Sequence, residues 1–513
     1  MSRSSSTERL VAALVLALAV AALFGRVLGY EFVYDDRVLV EGNAALADWG
    51  TLPTALTHDL FHLVPVRASP YWRPLVSLSY YVDHAIGGGA AWAFHLDNLV
   101  ALVAAGLALF VLLRQHVELL PAALGTALFV AHPLLVEPTA NIASRTDLYC
   151  AALAFWALSS RSSWAACVLT FLACCSKEPA VFLPLVALAI DRRDRRWLWM
   201  LVAALAYVVL RAVVVDVDSD ASASGAFEAG GRALFLLSRP VLPVPLAPAF
   251  EVDFLGPLGW LPIVALGALA AWKLRGLQAG GAVLIAACVL PASGVLQAHP
   301  RYGDGLLVLA VAGFVMIVAR APRWIGLAVL PFLLLGQVQV GQWHDERALW
   351  EASHERLPDD QVIRLRLART IVEEDPARSL ELLAGAQFVD DPHERRSMHE
   401  VRSRAWMLQG RDDLARDNAI LAAAPEVDAR WATAVACVAS PAGQGTEYCE
   451  WALVHSPEDP NLHNSAGIHA ENPGVRTEHF RRACELSPDD GPFCANAARS
   501  ELDLPPGVEH GAP

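Results

Sequence analysis

Two adjacent carboxylates, Asp35 and Asp36, follow the first apolar run of the chain in the segment EFVYDDR. Neighbouring carboxylates repel each other, so the pKa of one can rise until that group serves as a general base. A helix cap or a turn is the structural alternative for such a pair. The two residues therefore predict either acid–base chemistry or a local turn.

A second group of ionisable residues lies in the segment AHPLLVEPTANIASRTD, residues 131–147. His132, Glu137, Arg145 and Asp147 fall between two apolar runs that we predict to be membrane spans. Charged groups at such a corner are costly to bury, so they are rarely present only for solubility. We expect a functional role for this segment.

A lysine and a glutamate, Lys177 and Glu178, stand between two short apolar runs in CCSKEPA. The lysine could bind the phosphate of a lipid as a point charge at headgroup level. The alternative is a structural pair of Lys177 with Glu178 or Glu137. The chain has only two lysines among 39 basic residues, which favours a specific role. Arg301, in HPRY, adds a further cation.

An aromatic segment, residues 71–88, leads into the sequence FHLDN at 94–98. Its pattern is typical of an amphipathic helix lying on a membrane surface. His95 and Asp97 then enter an apolar run. They are either part of a site or polar groups satisfied at a helix end.

These residues together indicate one class of chemistry. Cations could hold a phosphate leaving group while a carboxylate deprotonates an acceptor hydroxyl for in-line attack at a sugar C1. The residues therefore predict transfer of a group from a lipid-phosphate carrier, without identifying the sugar. Neither a CxxC motif nor a cluster of histidines and cysteines is present, so we expect no metal and no other cofactor.

The composition shows which elements must position these residues. Of 513 residues, 55% are hydrophobic and 18% are charged, against about 25% charged in soluble domains. This excludes a single soluble domain, a disordered chain and a nucleic-acid-binding protein, which would need a basic surface. Apolar runs predict a polytopic membrane domain of about eleven helices. The runs are 10–28, 92–113, 118–133, 147–158, 163–175, 180–190, 197–214, 255–272, 279–297, 304–320 and 325–341.

The distribution of basic residues predicts the orientation of these spans. Arg3 and Arg9 precede the first run, which places the N-terminus in the cytosol by the positive-inside rule. Counted alternately, the cytosolic loops are then basic, whereas the acidic segment 215–230 and the outer loop 30–90 lie outside. The first run could instead be a cleaved signal peptide. Arginine-rich, alanine-rich usage suggests a bacterial protein, whose outside would be the periplasm.

The C-terminal part differs in charge and pattern. From Trp343 onward there are 31 acidic residues and 17 arginines, which account for the whole net charge of −14. Prolines recur at intervals of 31 to 34 residues, which is typical of tetratricopeptide repeats. An unrelated helical array is the alternative. We predict a membrane domain at 1–342, degenerate repeats at 343–503 and a flexible tail at 504–513. The repeating prolines are Pro358, Pro392, Pro425, Pro457 and Pro488.

Four of the nine cysteines lie in this tail. An outside location is oxidising, so we expect the pairs Cys437–Cys449 and Cys484–Cys494 to form disulfides. The repeats themselves could bind an acceptor protein, or only stabilise the membrane domain.

The motifs resemble a known family in their order and spacing. They are similar to those of the transmembrane and tetratricopeptide-repeat-containing O-mannosyltransferases. The motifs are FVYDDR, NxAL at Asn43–Leu46, WRPL, FHLxN, AHPLxVE with SRTDL, SKE, and WxDExxLW at Trp343–Trp350. That family is related to the protein O-mannosyltransferases and the lipid-A aminoarabinose transferases of the GT-C fold. The resemblance implies a membrane glycosyltransferase that moves a sugar, mannose in well-known members, from polyprenyl or dolichyl phosphate to a protein hydroxyl.

The resemblance also implies roles for residues. Asp35 would be the general base, supported by Asp36. Arg145 and Asp147 would lie near the donor, and Lys177 would contact its phosphate. The late family motif resembles Glu-Arg-x-x-Tyr, whereas this chain has Ala-His-Pro-Arg-Tyr, so only Arg301 matches. We expect supporting roles for His95, His132, Glu137 and Glu178.

Two other classes of function remain open from the sequence. A non-catalytic scaffold would keep the membrane topology and use its repeats to recruit partners. A transporter of lipid-linked sugars would favour buried charges near mid-span and inverted repeats. The charges of this chain cluster at one predicted face and no internal symmetry is evident, which favours the transferase.

Overall fold

A computed structural model of the chain describes residues 6–64, 71–215, 223–244, 246, 256–295, 304–386, 388, 392–422, 437, 446–455, 457–488 and 491–501. Within these ranges every regular element is helical, so the predicted all-α class is confirmed. The chain divides into two compact units, Met1–Arg356 and Leu357–Pro513. The helix that follows the predicted junction at Trp343 therefore belongs to the first unit.

The first unit contains helices of very different length, from five residues in α6 to 24 in α4. Its described helices are α1 Ser6–Phe24, α2 Leu52–Thr57, α3 Pro74–Gly87, α4 Ala91–Arg114, α5 Leu119–Ala131, α6 Val136–Ala140, α7 Arg145–Ser159, α8 Ser163–Cys174, α9 Leu183–Ile190, α10 Arg196–Val214, α11 Ala223–Ser238, α12 Trp260–Lys273, α13 Leu277–Leu290, α14 Val308–Val318, α15 Pro322–Val340 and α16 Glu346–Arg356.

Several of these helices are suited to a lipid bilayer. Among the described residues, four stretches are long and apolar enough to cross it. A fifth candidate is the pair α5 and Pro133–Ala140, which bends by 59°. The chain is thus an integral, multi-pass membrane protein, while the number of eleven spans remains a prediction. The four stretches are Ser6–Gly29, Ala91–Arg114, Arg196–Val214 and Gly326–Trp343.

The bend after α5 follows from the dipeptide His132-Pro133. Proline has no N–H to donate, so the helix ends at Ala131 and a new turn begins. His132 satisfies this turn, because its Nδ1 accepts the N–H of Leu134 at 3.2 Å. The bend thereby directs the segment after α5 toward the start of α7.

Small residues allow the spans to approach closely, as is common in membrane proteins. A Cβ on Gly281 of α13 would overlap the carbonyl oxygen of Gly313 on α14, and the reverse also holds. On α4, a Cβ on Gly106 would lie 3.3 Å from a methyl of Val130. Larger residues at these positions would separate the helices.

The segment between α1 and α4 has its own apolar core. The aromatic segment is helical as α3, which ends where Gly88 adopts a φ of +61°; its location on a membrane surface stays a prediction. The core packs the loop after α1 against α3, the first turn of α4 and the segment before α7. Its buried members are Leu39, Val40, Leu46, Ala55, Val76, Tyr80, Tyr81, Phe94 and Ile142.

The second unit contains shorter amphipathic helices, in which neighbouring helices pack together. Pro358, Pro457 and Pro488 lie in turns just before a helix, and Pro392 begins one. Pro425 lies outside the described residues. The tetratricopeptide assignment stays a prediction. The helices are α17 Gln361–Ile371, α18 Pro376–Leu382, α19 Pro392–Leu408, α20 Asp412–Ala422, α21 Thr446–His455, α22 Pro460–His469, α23 Pro473–Leu486 and α24 Gly491–Glu501.

Both expected cysteine pairs are disulfides in the structure. Cys437 bonds to Cys449, and Cys484 bonds to Cys494. The first disulfide lies in an apolar cluster with Leu462 of α22. The five other cysteines are free thiols.

Candidate functional site

The loop after α1 is anchored by Asp36, whose side chain is completely buried. Its carboxylate accepts the backbone N–H of Ile142 at 3.1 Å and that of Ala143 at 2.6 Å. Burial raises the pKa of Asp36 to about 8, although the two N–H donors act in the opposite direction. Asp35 is half-buried and is therefore the more accessible carboxylate of the pair. The loop is thus tied to the second loop, 141–144, through Asp36.

Arg145, in the first turn of α7, is the centre of a buried polar network and has no exposed surface. Its guanidinium lies over the ring of Tyr80, with 4.9 Å between the guanidinium carbon and the ring centroid. The side chain makes polar contacts with residues of α3 and α4. These contacts are with Ser79 Oγ at 2.9 Å, Asn98 Oδ1 at 3.1 Å, Asp97 Oδ2 at 3.0 Å, the Phe94 carbonyl at 2.8 Å and Asp83 Oδ2.

These contacts decide what Arg145 can do. A guanidinium has five N–H donors, and here Nε, Nη1 and Nη2 are all engaged inside the protein. Binding a phosphate would break buried hydrogen bonds that no solvent could replace. The geometry shows Arg145 as a residue that joins α3, α4 and α7, and its predicted role near the donor stays a prediction.

Two further ion pairs lie at the ends of α7 and α8. Lys177 Nζ contacts Asp147 Oδ2, and both side chains are at least nine-tenths buried. Arg73 forms a bidentate pair with Glu178, with its Nη2 3.0 Å from Oε2 and its Nε 3.3 Å from Oε1. Burial opposes ionisation of Glu178, but the Arg73 guanidinium holds the pKa of that carboxyl below its usual range. The carboxylate that contacts Lys177 is therefore Asp147, and neither Glu178 nor Glu137, the two alternatives that the sequence analysis left open.

His95, on α4, lies next to the loop that carries Asp35 and Asp36, which comprises residues 30–36 and is called the acidic loop below. It is completely buried, and its imidazole lies beside the backbone of Tyr30 and Glu31, where the loop begins. Asp97, two residues later, accepts the hydroxyl of Tyr149 as well as pairing with Arg145. Of the three polar residues of FHLDN, His95 thus lies against the start of the loop, and Asp97 and Asn98 belong to the Arg145 network.

His132 and Glu137 lie in the same segment but have local partners. The Nε2 of His132 is 3.1 Å from the carbonyl of Pro240, and its ring packs edge-to-face on Phe332. Glu137 is buried and accepts the hydroxyl of Ser144 at 3.4 Å. Their contacts are those of residues that shape the second loop.

The structure thus brings together most of the predicted residues through one segment, 136–149. Its backbone binds Asp36, its Arg145 binds α3 and α4, and its Asp147 binds Lys177. Arg301 lies outside the described residues. Within the ranges that the structure describes, no group of three or more His, Cys, Asp or Glu residues could hold a metal ion.

Three residues of the network were missed from the sequence: Arg73, Asp83 and Asn98. Each was visible as a polar residue in an otherwise apolar or aromatic stretch, in WRPL, SYYVDH and FHLDN. Their partners are 40 to 105 positions away, so spacing alone could not assign them. An apolar or aromatic pattern interrupted by a polar residue was the available signal.

Comparison with known proteins finds relatives for about a quarter of the chain. Protein O-mannosyl-transferase Tmtc2 of Drosophila melanogaster is 35% identical over 130 residues, which are 25% of this chain and 14% of that protein. Protein O-mannosyl-transferase TMTC2 of Homo sapiens is 34% identical over 156 residues, 27% of this chain and 17% of that protein. The match thus spans a small part of these relatives. The resemblance predicted from the motifs is confirmed over this part, and no family model matches the chain.

One solved structure is similar over a longer range. It is the crystal structure of ArnT from Cupriavidus metallidurans bound to undecaprenyl phosphate. The alignment covers 81% of this chain and 80% of that chain, with a TM-score of 0.43 and 14% sequence identity.

Proposed function

We propose that this protein is a membrane glycosyltransferase. It moves a sugar, mannose, from a polyprenyl- or dolichyl-phosphate carrier to a Ser or Thr hydroxyl of an acceptor protein. The reaction takes place on the non-cytosolic face, on a GT-C-like domain of eleven spans followed by tetratricopeptide repeats that bind the acceptor.

The observation that carries this proposal is the junction of the acidic loop with the second loop. Asp36 fixes the two loops together, and Asp35 stands beside it with greater exposure. The pairs Lys177–Asp147 and Arg73–Glu178 lie on elements that contact the same segment. A potential base and two potential phosphate-binding cations therefore belong to one connected structure.

The relatives support the sugar and the acceptor class. The names of the fruit-fly and human proteins describe O-mannosyl transfer to protein, and their similarity to this chain reaches 35% identity. Because the match spans only part of those proteins, we transfer their activity to this chain as a proposal.

In the reaction that we propose, Asp35 accepts the proton of the acceptor hydroxyl as its oxygen attacks C1 of the sugar. The new bond joins that oxygen to C1, and the bond between C1 and the carrier phosphate breaks. The electron pair leaves with the phosphate, whose added negative charge needs nearby cations. The proton remains on Asp35 until it is released to solvent.

Lys177 is the cation best suited to the leaving phosphate. An ammonium has three N–H donors, so Lys177 can keep its contact with Asp147 and still bind a phosphate oxygen. Arg73 uses two of its five donors on Glu178 and could add a second contact. Asp147 and Glu178 would hold the two cations in place.

The proposal is tested by transfer from radiolabelled polyprenyl-phosphate mannose in membranes that contain the full chain. The wild type should label a protein fraction, and Asp35→Asn should lower the rate at least a hundredfold. Asp48→Asn, an exposed carboxylate of the same outer loop, is the matched control and should retain activity. Equal transfer by wild type and Asp35→Asn would refute the role of Asp35, and a scaffold or transporter would label nothing with any donor.

We also propose the orientation with the N-terminus in the cytosol and the repeats outside, in the periplasm of a bacterium. The disulfides of the second unit support it, because such bonds persist in oxidising compartments. A cysteine introduced at the exposed position Glu478 should react with an impermeant maleimide in spheroplasts. Labelling that requires lysis would refute this orientation.

A further inference from the structure

The acidic loop is held from a second side, by the segment that precedes the second unit. Tyr34, the residue before Asp35, has a φ of +55°. This left-handed conformation is disfavoured for a residue with a bulky side chain, and it persists only where surrounding contacts enforce it. The backbone just before the proposed base is therefore strained.

Glu346, the first residue of α16, supplies one of these contacts. Its Oε2 accepts the backbone N–H of Tyr34 at 2.6 Å, and its Oε1 accepts the indole N–H of Trp350 at 2.6 Å. The ring of Tyr34 packs edge-to-face on that indole, with centroids 5.5 Å apart. One carboxylate thus fixes both the strained backbone and the aromatic ring on which its side chain rests.

The same region also holds the start of the loop. The N–H of Glu31 donates to the carbonyl of His344 at 3.2 Å, and the rings of Tyr30 and His344 pack with centroids 5.2 Å apart. Residues 30–34 therefore contact residues 344–350 at both ends. The WxDExxLW motif, residues 343–350, thus packs against the acidic loop.

We propose that Glu346 is a positioning residue for the Asp35–Asp36 pair. This inference rests on the proposed transferase function, since it concerns the orientation of the proposed base. If Tyr34 relaxed to a right-handed conformation, the peptide plane that leads into Asp35 would turn and the carboxylate would point elsewhere. Asp36 fixes the loop from one side, and Glu346 sets the backbone conformation from the other.

Residue 346 needs a side chain with two accepting oxygens. It receives two N–H donors, one on each oxygen. Glutamine has the same shape but only one accepting oxygen, so its amide N–H₂ would face one of these donors. Glu346→Gln therefore removes one contact without creating a cavity. We expect about a tenfold or larger fall in kcat, with the KM for the lipid donor unchanged, because the donor itself is not contacted.

The test compares Glu346→Gln with Glu351→Gln in the detergent-solubilised full chain. Glu351 lies on the same helix, and its carboxylate pairs with Arg347 at 3.1 Å. Two readouts are measured: kcat and KM for polyprenyl-phosphate mannose, and amide hydrogen exchange of residues 33–42. Glu346→Gln should lower kcat and accelerate exchange in that segment, whereas Glu351→Gln should do neither.

A variant of the strained residue gives a second test. Glycine adopts positive φ without penalty, so in Tyr34→Gly the loop no longer needs Glu346 to enforce this conformation. The effect of Glu346→Gln on exchange and kcat should be smaller in that background. Strictly additive effects of the two substitutions would overturn the proposal.

The outcomes separate this inference from the proposed function. Unchanged kcat and exchange in Glu346→Gln would overturn the positioning role, as would a raised donor KM with an unchanged kcat. If the wild type transfers no sugar from any donor, the transferase proposal fails. The exchange measurement then still decides whether Glu346 holds the acidic loop.

Discussion

Replacing Asp36 with asparagine should have an effect on stability that reverses sign with pH. The side chain is completely buried and its two oxygens accept the N–H groups of Ile142 and Ala143. An asparagine at this position would keep the shape and one acceptor, but its amide N–H₂ would face the second N–H group. The sign of the change in stability depends on two terms. One is the lost hydrogen bond, which destabilises the variant, and the other is the cost of burying an ionisable group, which only the wild type bears.

The hydrogen-bond part of the effect can be sized from the two contacts. Leaving one buried N–H without an acceptor costs about 1–3 kcal/mol. The contact to Ala143, at 2.6 Å, is shorter than that to Ile142, at 3.1 Å, so we expect asparagine to keep the former. At pH 4, where Asp36 is protonated in folded protein, Asp36→Asn should therefore be less stable than wild type by this amount.

The pH-dependent part has the opposite sign. Burial raises the pKa of Asp36 from its usual value near 3.8 to about 8. Between these values the folded chain retains a proton that the unfolded chain has released, so rising pH favours unfolding. The slope is at most about 1.4 kcal/mol per pH unit, and asparagine does not titrate. The variant should gain up to about 4 kcal/mol on the wild type between pH 5 and pH 8.

The assay is thermal unfolding of the purified chain in detergent at pH 4, 5, 6, 7 and 8. The difference in midpoint between Asp36→Asn and wild type should move by several degrees in favour of the variant as pH rises. Asp48→Asn, an exposed position in the same loop, should follow the wild type. If the difference in unfolding midpoint stays constant with pH, or changes in favour of the wild type as pH rises, the pKa of Asp36 is not raised. The two N–H donors would then keep Asp36 ionised.

Three further predictions concern the buried pairs and a disulfide. Arg145→Lys should lower the stability of the detergent-solubilised chain by about 3–5 kcal/mol in thermal unfolding, because a single ammonium cannot reach carboxylates and amides on two helices; a stable variant would refute the central role of this residue. The double variant Lys177→Gln with Asp147→Asn removes both charges of a buried pair, so the fold should survive. The KM for the lipid donor should rise about tenfold, because one charge-assisted contact to the phosphate is lost. An unchanged KM would show that Lys177 does not bind the phosphate. Cys437→Ser should destabilise its part of the second unit by about 3 kcal/mol, as expected for a loop closed over a sequence separation of 12, and should make that part of the full chain more sensitive to protease; equal protease resistance would show that the disulfide constrains nothing.

The clustering of the site could be predicted from the sequence because the predicted topology implies it. If the predicted spans alternate, every second loop lies on the same face, so the loops after α1, α5 and α8 are expected to share one side. The antiparallel pair α7 and α8 also places the first turn of one beside the end of the other. This explains why Asp147 meets Lys177, a pairing that helix order implies but that local spacing obscured.

The internal use of Arg145 could not be predicted in the same way. Its partners come from α3 and α4, which are separated from it by 47 to 66 positions. The motif indicates that an arginine is needed, but not whether its donors face a ligand or the protein interior. That distinction depends on how closely α3 packs on α4, which is a matter of side-chain volume rather than of pattern.

The pairing of the cations has a consequence for how a carrier phosphate would bind. Arg73 and Lys177 each pair with one carboxylate, and Arg145 contacts two, so an arriving phosphate meets compensated charge rather than bare positive charge. Its attraction is then weak at long range and becomes strong only when its oxygens reach an N–H donor that is not already used. The compact ammonium of Lys177 can turn such a donor toward the phosphate without moving its partner, whereas the guanidinium of Arg145 cannot. This arrangement would stabilise the bound donor only a little in the ground state. It would stabilise the transition state more, because the leaving oxygen then carries more negative charge. Stronger binding of the transition state than of the ground state is the condition for catalysis.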